Sequence, residues 1–136
     1  MNGKLFISKY EEQIYFLLRI IIGILFLWHG VQKLYTFPQA GITMPLYIVL
    51  VAGPVELIGG FLVVIGLWSR WAAFICSGEM AFAYWIAYGT NLSLPFMNGG
   101  ELAMIYCFVF LFISARGSGL LSIDHLLEKK RKLVKR

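Results

Sequence analysis

Four long apolar stretches follow one another along the chain, and short polar segments separate them. We place them at roughly 14–35, 46–67, 71–89 and 100–116. Each stretch is long enough to cross the hydrocarbon core of a bilayer, which is about 30 Å thick. A backbone inside a bilayer must satisfy its own hydrogen bonds, so we expect each stretch to be a helix. The predicted fold is all-α, an integral membrane bundle of four transmembrane helices.

The composition supports a membrane protein with a single domain. Hydrophobic residues make up 60% of the chain and charged residues only 14%, against about 25% charged residues in soluble domains. A soluble chain of this length would need more polar surface to cover its core, so an ordinary soluble domain, a disordered chain and a free nucleic-acid binder are excluded. We expect a cytoplasmic tail over 1–13, the transmembrane domain over 14–117, and a basic amphipathic cytoplasmic tail over 118–136.

The distribution of positive charge predicts the orientation. Lys and Arg residues occur in the N-terminal tail, between the second and third stretches, and after the fourth stretch. The other two connections, 36–45 and 90–99, contain none. Because short cytoplasmic loops carry the excess of Lys and Arg, both termini are predicted to be cytoplasmic in a multi-pass protein.

The C-terminal tail concentrates the positive charge. Six of the twelve basic residues lie in the last eight positions: Lys129, Lys130, Arg131, Lys132, Lys135 and Arg136. A basic run beside a membrane span typically binds anionic lipid, and no aromatic or base-reading pattern accompanies it. We therefore expect a partner in anionic membrane lipid and none in nucleic acid. With Leu133 and Val134 the tail could form a short amphipathic helix, for which Ser122 and Asp124 are candidate caps.

The first stretch contains three basic side chains on one helix face. Arg19, His29 and Lys33 share that face with Gly23 and Gly30. Because charge at membrane depth faces a bundle interior, a partner or a cavity, we expect this face to be packed. For Arg19, a role as an inner-side charge and simple snorkelling to the headgroups are both open. Snorkelling explains Lys33 less well, since His29 lies one turn deeper on the same face.

Two carboxylates are predicted near the middle of the membrane, Glu56 in the second stretch and Glu79 in the third. Two neighbouring carboxylates cannot both ionise cheaply, an arrangement suited to proton exchange. We expect both to face the bundle interior, with Lys33 and His29 as the nearest basic groups. A buried ion pair that only holds the bundle together is the alternative.

Glu101 is the last candidate, in the first turn of the fourth stretch, where the helix dipole favours a negative charge. Its predicted depth equals that of Lys33, so a pair between them is possible.

The sequence contains no metal-ligand spacing and no recognisable catalytic pattern. The candidates for a ligand or proton site are His29, Lys33, Glu56, Glu79 and Glu101.

The same polar residues resemble the DoxX family. The resemblance follows the chain in order: Arg19, Gly23, Trp28-His29-Gly30 and Lys33-Leu34, then Glu56-Leu57-Ile58-Gly59-Gly60, then Ser77-Gly78-Glu79-Met80-Ala81, then Asn98-Gly99-Gly100-Glu101, and finally Gly117-Ser118-Gly119 with Ser122-Ile123-Asp124. It covers about 14–125, nearly the whole chain. It implies a small four-helix protein of the bacterial inner membrane.

The family is named for its likeness to a subunit of a thiosulfate:quinone oxidoreductase, and some members are linked to redox or detoxification complexes. The resemblance therefore implies a redox-linked subunit with a quinone-like ligand. Relatives often carry a His near the outer end of the third helix, where this chain has Tyr88, so a role that depends on that His does not carry over. No electron-carrying cofactor is encoded, so a redox partner protein would supply one.

Three functional hypotheses follow. The first is the redox-linked subunit that binds a quinone-like lipophilic ligand in a polar bundle interior. The second is a non-catalytic assembly or stabilising subunit whose buried charges only specify packing. The third is a small proton-coupled transporter in which the carboxylates form the relay. Whether the chain is an enzyme, and whether it forms a homo-oligomer, are left open by the sequence.

Overall fold

A computed structural model describes residues 5–88 and 94–134 of the chain. This part of the chain is helical and contains no strand, so the predicted all-α fold is confirmed. Part of the predicted connection 90–99 lies outside the described residues. The same holds for the first four residues and for Lys135 and Arg136 of the basic tail.

Five helices of more than two turns are present in the described segments. They are α1 (Phe6–Gln39), α2 (Ile48–Ile65), α3 (Ser69–Ala87), α4 (Glu101–Arg116) and α5 (Ile123–Val134). A single helical turn, Pro95–Asn98, precedes α4. The first four helices coincide with the four apolar stretches, although α1 begins well before its predicted start. The fifth lies in the basic tail.

Two of these helices, α1 and α2, are long and apolar enough to cross a membrane, judged by length and composition over the described residues. The fourth helix has 16 residues, about 24 Å at 1.5 Å per residue, which is shorter than a bilayer core. The expectation of four membrane crossings therefore stays a prediction.

Glycines bring α1 and α2 into backbone contact. A Cβ atom added to Gly30 would lie 2.5 Å from the Leu57 backbone nitrogen, and one added to Gly60 would lie 2.7 Å from the Leu27 backbone nitrogen. No side chain fits between the helices at these two positions. In a membrane, where burial from water does not drive helices together, such close packing is a main source of association. It also sets Lys33 of α1 beside α2.

The antiparallel helices α3 and α4 form the second packed pair. The Ser77 hydroxyl donates a hydrogen bond to the Cys107 carbonyl oxygen over 2.8 Å. The two helix pairs meet at an aromatic contact in which the ring centroids of Phe26 and Phe110 are 4.6 Å apart. The fully buried centre of the bundle consists of apolar side chains: Phe26, Val63, Ala73, Cys76, Phe110 and Ile113.

At one end of the bundle, Arg19 binds the segment that follows α4. Its side chain is 1% exposed and donates to the carbonyl oxygen of Ser118 and, over 2.6 Å, to that of Leu121. The Tyr15 hydroxyl donates to the Gly117 carbonyl oxygen beside them. Arg19 therefore does not snorkel to the headgroups. It satisfies carbonyl groups that a non-helical segment leaves unpaired, which is what buried backbone requires.

Asp124 holds the turn between α2 and α3. Its carboxylate accepts hydrogen bonds from the backbone nitrogens of Trp68 and Ser69 over 2.9 and 3.2 Å. These amides belong to the start of α3, where a helix leaves its first N–H groups unpaired. Gly66 ends α2 with a φ of 72°, and Trp68 has a φ of 49°, which is uncommon for a side chain larger than glycine. The Asp124 contacts offset that strain.

Two further arginines are bound at the same end. Arg70 donates to the carbonyl oxygens of Ser114 and Ala115, over 3.1 and 2.7 Å, and so caps the end of α4. Arg116 forms ion pairs of 2.8 and 2.7 Å with Glu11 and Glu12 of α1. Of the positive charges that predicted the orientation, Arg70 and Arg116 thus lie at one end of the bundle.

The glycine contacts predict a specific loss of stability. Gly30→Ala should destabilise the fold by about 1–3 kcal/mol, because its Cβ would meet backbone atoms that cannot move aside. Gly78→Ala is the matched control, since a Cβ there meets nothing within 4 Å. It should leave stability unchanged or raise it by up to about 1 kcal/mol. Unfolding of the purified protein in detergent, followed by circular dichroism, measures both. Equal stability of the two variants would contradict the backbone contact.

Candidate ligand-binding site

A cavity of about 700 Å³ opens between the four long helices, within the range of about 300–1,000 Å³ typical of small-molecule sites. Its wall is mostly apolar and includes Phe26, Ile48, Val51, Met80, Phe82, Ala83, Ile86, Leu102 and Ala103. The polar side chains that line it include His29, Lys33, Glu56 and Glu79. A largely apolar cavity with a few polar groups is the usual form of a ligand site.

Two π-helical turns border the cavity. One, Gln32–Thr36, contains Lys33, and the other, Ile48–Ala52, opens α2. Pro54 follows the second turn and has no N–H group, so the regular hydrogen bond to the carbonyl four residues before it cannot form. Such turns widen a helix locally and are frequent at functional sites. Here they give the wall its shape on the α1 and α2 sides.

Lys33 and Glu56 form a buried ion pair at the cavity. The Lys33 ammonium donates to Oε1 of Glu56, and the two side chains are 22% and 2% exposed. Burying either charge alone would be costly, and the pairing offsets much of that cost. The second oxygen of Glu56 is buried and has no hydrogen-bond partner among the described residues. The glycine contact of α1 with α2 makes this pair geometrically possible.

Glu79 lines the same cavity and has no hydrogen-bond partner among the described residues. Both of its carboxylate oxygens are buried, and neither makes a hydrogen bond within the described part of the chain. Buried polar groups are normally hydrogen-bonded, so each exception calls for an explanation. Like Glu56, it faces the bundle interior, as its helical position predicted. It can accept a hydrogen bond or hold a proton for a molecule in the cavity.

His29 packs against Tyr106, an aromatic side chain that was not among the residues predicted for the site. The ring of Tyr106 stands edge-on to His29, with the centroids 5.8 Å apart, and stacks on Phe110 at 5.9 Å. Tyr106 is 4% exposed and lines the cavity. The sequence pattern that could have predicted this position is the spacing of four residues between Tyr106 and Phe110, because residues four apart lie on one face of a helix.

The remaining predicted residues lie elsewhere or play a smaller part. Tyr88 lines the cavity at the end of α3. Glu101 is exposed and is absent from the cavity wall, and Lys33 pairs with Glu56 instead of Glu101. Arg19 lies in the network at the opposite end of the bundle. Over the described ranges, no three His, Cys, Asp or Glu side chains are grouped so that they could hold a metal ion.

Together, the apolar helices and this cavity define a helical membrane protein with an internal site of ligand size. The DoxX family model matches residues 14–89. An uncharacterized protein of Haemophilus influenzae is 38% identical over 133 residues, which cover 91% of this chain and 98% of that protein. A Bacillus subtilis protein named "Putative oxidoreductase CatD" is 29% identical over 121 residues, or 85% and 88% of the two chains. No solved structure matches significantly. The chain belongs to the DoxX family, as its polar motifs predicted.

The ion pair predicts non-additive mutations. Lys33→Met should cost about 3 kcal/mol, because it leaves the Glu56 carboxylate buried and unpaired; the value is at the low end for buried pairs since Lys33 is partly exposed. Adding Glu56→Met should restore most of that loss. Lys9→Met is the control, at an exposed lysine whose ammonium lies 4.8 Å from the centroid of the Tyr10 ring, and it should change stability by less than about 1 kcal/mol. Unfolding in detergent is measured for the wild type, for each single variant and for the double variant, which completes the double-mutant cycle. Additive effects of the two substitutions would argue against the pair.

Proposed function

We propose that the protein is a redox-linked subunit of the bacterial inner membrane that binds a quinone-like lipophilic ligand in the cavity. The observation that carries the proposal is the pairing of an apolar cavity of ligand size with a polar group of Lys33, Glu56 and Glu79 in its wall. The relative named as an oxidoreductase supports a redox role, and the family supports the membrane setting.

The cavity residues match the chemistry of a quinone. A quinone ring is flat and carries two carbonyl oxygens, so its site needs apolar or aromatic walls and hydrogen-bond donors. Phe26 and Tyr106 supply aromatic surface, while the ammonium of Lys33 and an N–H group of His29 are donors. The apolar side chains of α2 and α3 would accommodate a hydrocarbon tail. Binding by these groups would hold the ring at the end of the cavity where the charges lie.

Reduction of a bound quinone would take up two electrons and two protons. In this proposal Glu79 takes up protons and delivers them to the ring one after the other, since a carboxyl group near a reacting group acts as a general acid and base. Lys33 keeps the Glu56 carboxylate in position. The electrons would come from a redox partner protein, because the sequence contains no pattern typical of an electron-carrying group.

The two other hypotheses predict different behaviour. An assembly subunit would use the Lys33–Glu56 pair for packing alone, and the purified protein would carry no ligand. A proton-coupled transporter would move its substrate across liposome membranes. Identification of the lipid-soluble molecules that copurify with the protein therefore separates the first hypothesis from both.

We also propose that α1 to α4 all cross the membrane and that both termini are cytoplasmic. The described ends of the helices support this arrangement, because Lys9, Arg70 and Arg116 all lie at the end of the bundle from which α5 leaves. Trp68 and Trp71 are exposed there, and tryptophan is enriched where a membrane meets water.

Reporter fusions test the orientation. A C-terminal reporter that is active only in the cytoplasm should be active, and one that is active only in the periplasm should be silent, because the basic end remains inside. A fusion after Gly41, in the connection between α1 and α2, is the control and should give the opposite pattern. Periplasmic activity at the C-terminus would contradict the proposed orientation.

A substitution that fills the cavity tests the ligand. Ala83→Phe adds a ring to the cavity wall and should weaken binding of a short-chain ubiquinone analogue about tenfold or more by steric conflict. Ala115→Phe is the control, because Ala115 is exposed and is not part of the wall. Binding is measured by quenching of tryptophan fluorescence, and unfolding curves verify that both variants fold. Equal affinity of Ala83→Phe and wild type would place the ligand elsewhere.

A further inference from the structure

The fifth helix has a side chain surface that the bundle does not cover. From Leu126 to Val134 every residue of α5 is exposed. Four consecutive cations, Lys129 to Lys132, lie in this part, and in the described chain no acidic side chain is within ion-pair distance of them. A helix with so many exposed cations and apolar side chains is typical of a surface that binds another molecule.

The start of α5 is nevertheless fixed to the bundle. The Asp124 backbone nitrogen donates to the Gly66 carbonyl oxygen over 3.0 Å, and the Ser118 hydroxyl donates to the Asp124 carboxylate over 2.6 Å. Ser122 caps the helix, since its Oγ accepts a hydrogen bond from the His125 nitrogen over 3.2 Å. The helix therefore leaves the bundle from a set position, next to the turn that joins α2 and α3.

The helix is amphipathic, with cations at both borders of its apolar face. At 3.6 residues per turn, an apolar arc about 120° wide forms; it consists of Ile123, Leu126, Leu127, Leu133 and Val134. Lys129 borders the arc on one side and Arg131 on the other, while Lys132 lies opposite. Lys130 falls inside the arc, where its long aliphatic stem can lie on apolar surface and its ammonium can reach outward.

We propose that α5 is an interfacial anchor that lies on the membrane surface at this end of the bundle and binds the phosphate groups of anionic phospholipids. Its apolar arc would enter the boundary between headgroups and acyl chains, and the flanking cations would reach the phosphates. The exposed Trp68 and Trp71, beside the point from which α5 leaves, mark the same level.

The charge and the apolar arc together favour lipid over other occupants. A second copy of the helix would bring the same cations together, which is repulsive, and nucleic acid would leave the apolar arc in water. An anionic bilayer matches both surfaces at once. Each Lys or Arg close to such a surface strengthens binding roughly fivefold, so four cations together would produce a large dependence on lipid charge.

Hydrogen–deuterium exchange of the full-length protein in nanodiscs tests the proposal. One set of nanodiscs contains phosphatidylcholine alone, and the other a mixture of phosphatidylcholine and phosphatidylglycerol. Amides of α5 should exchange about tenfold or more slowly in the anionic nanodiscs, and high salt should remove the difference because it screens charge. Amides of α2 are the internal control for the folded bundle and should not respond to lipid charge.

Two variants separate charge from side-chain identity. Replacing Lys129, Lys130, Arg131 and Lys132 by Gln should abolish the dependence on phosphatidylglycerol, whereas Lys→Arg at the three lysines should preserve it. Wild-type α5 amides that exchange at the same rate in both lipids would overturn the proposal. So would a slow exchange in both lipids that persists in the Gln variant, which would indicate a contact with protein.

Discussion

The buried ion pair between Lys33 and Glu56 constrains how α1 and α2 pack against each other. A carboxylate that is 2% exposed is costly to keep ionised unless a cation reaches it, and the reach of a lysine side chain sets how far apart the two backbones can stand. Gly30 meets this condition, because it places α1 directly on the backbone of α2 one turn before Lys33. The close approach at Gly30 thus both stabilises the interface between α1 and α2 and places the Lys33 ammonium next to Glu56.

Buried polar groups at the two ends of the bundle differ in their hydrogen-bond partners. At the end where the arginines lie, Arg19 binds carbonyl oxygens of the segment after α4, and Asp124 binds amides at the start of α3. Arg19 and Asp124 each have backbone partners there, although Nε of Arg19 and Oγ of Ser69 are buried and make no hydrogen bond among the described residues. In the cavity region, three carboxylate oxygens of Glu56 and Glu79 have no hydrogen-bond partner among the described residues. Only at the cavity, among the described residues, does a buried carboxyl group lack a partner at both of its oxygens, and that group is Glu79.

Helical periodicity was sufficient to predict much of the fold and part of the site. It placed Lys33 and His29 on a packed face, and it placed Glu56 and Glu79 in the interior, because a residue's position around one helix follows from its number alone. Helical periodicity could not predict contacts between segments that are distant in the sequence. Asp124 was a candidate cap for its own helix, yet it binds the start of α3, and only Ser122 caps α5. The π-helical turns that shape the cavity also have no periodic signal.

The distinction between Glu56 and Glu79 narrows what the carboxylates are for. Glu56 is accounted for by packing, because its partner Lys33 comes from the helix that it joins. Glu79 takes no part in a helix-to-helix bond in the described chain, so holding the bundle together does not explain it. A buried carboxyl without protein partners is costly in either protonation state, and a polar atom of a bound molecule would remove part of that cost. In the proposed function, Glu79 would therefore be the carboxyl group that contacts the ligand, and Glu56 the one whose pairing with Lys33 shapes the site.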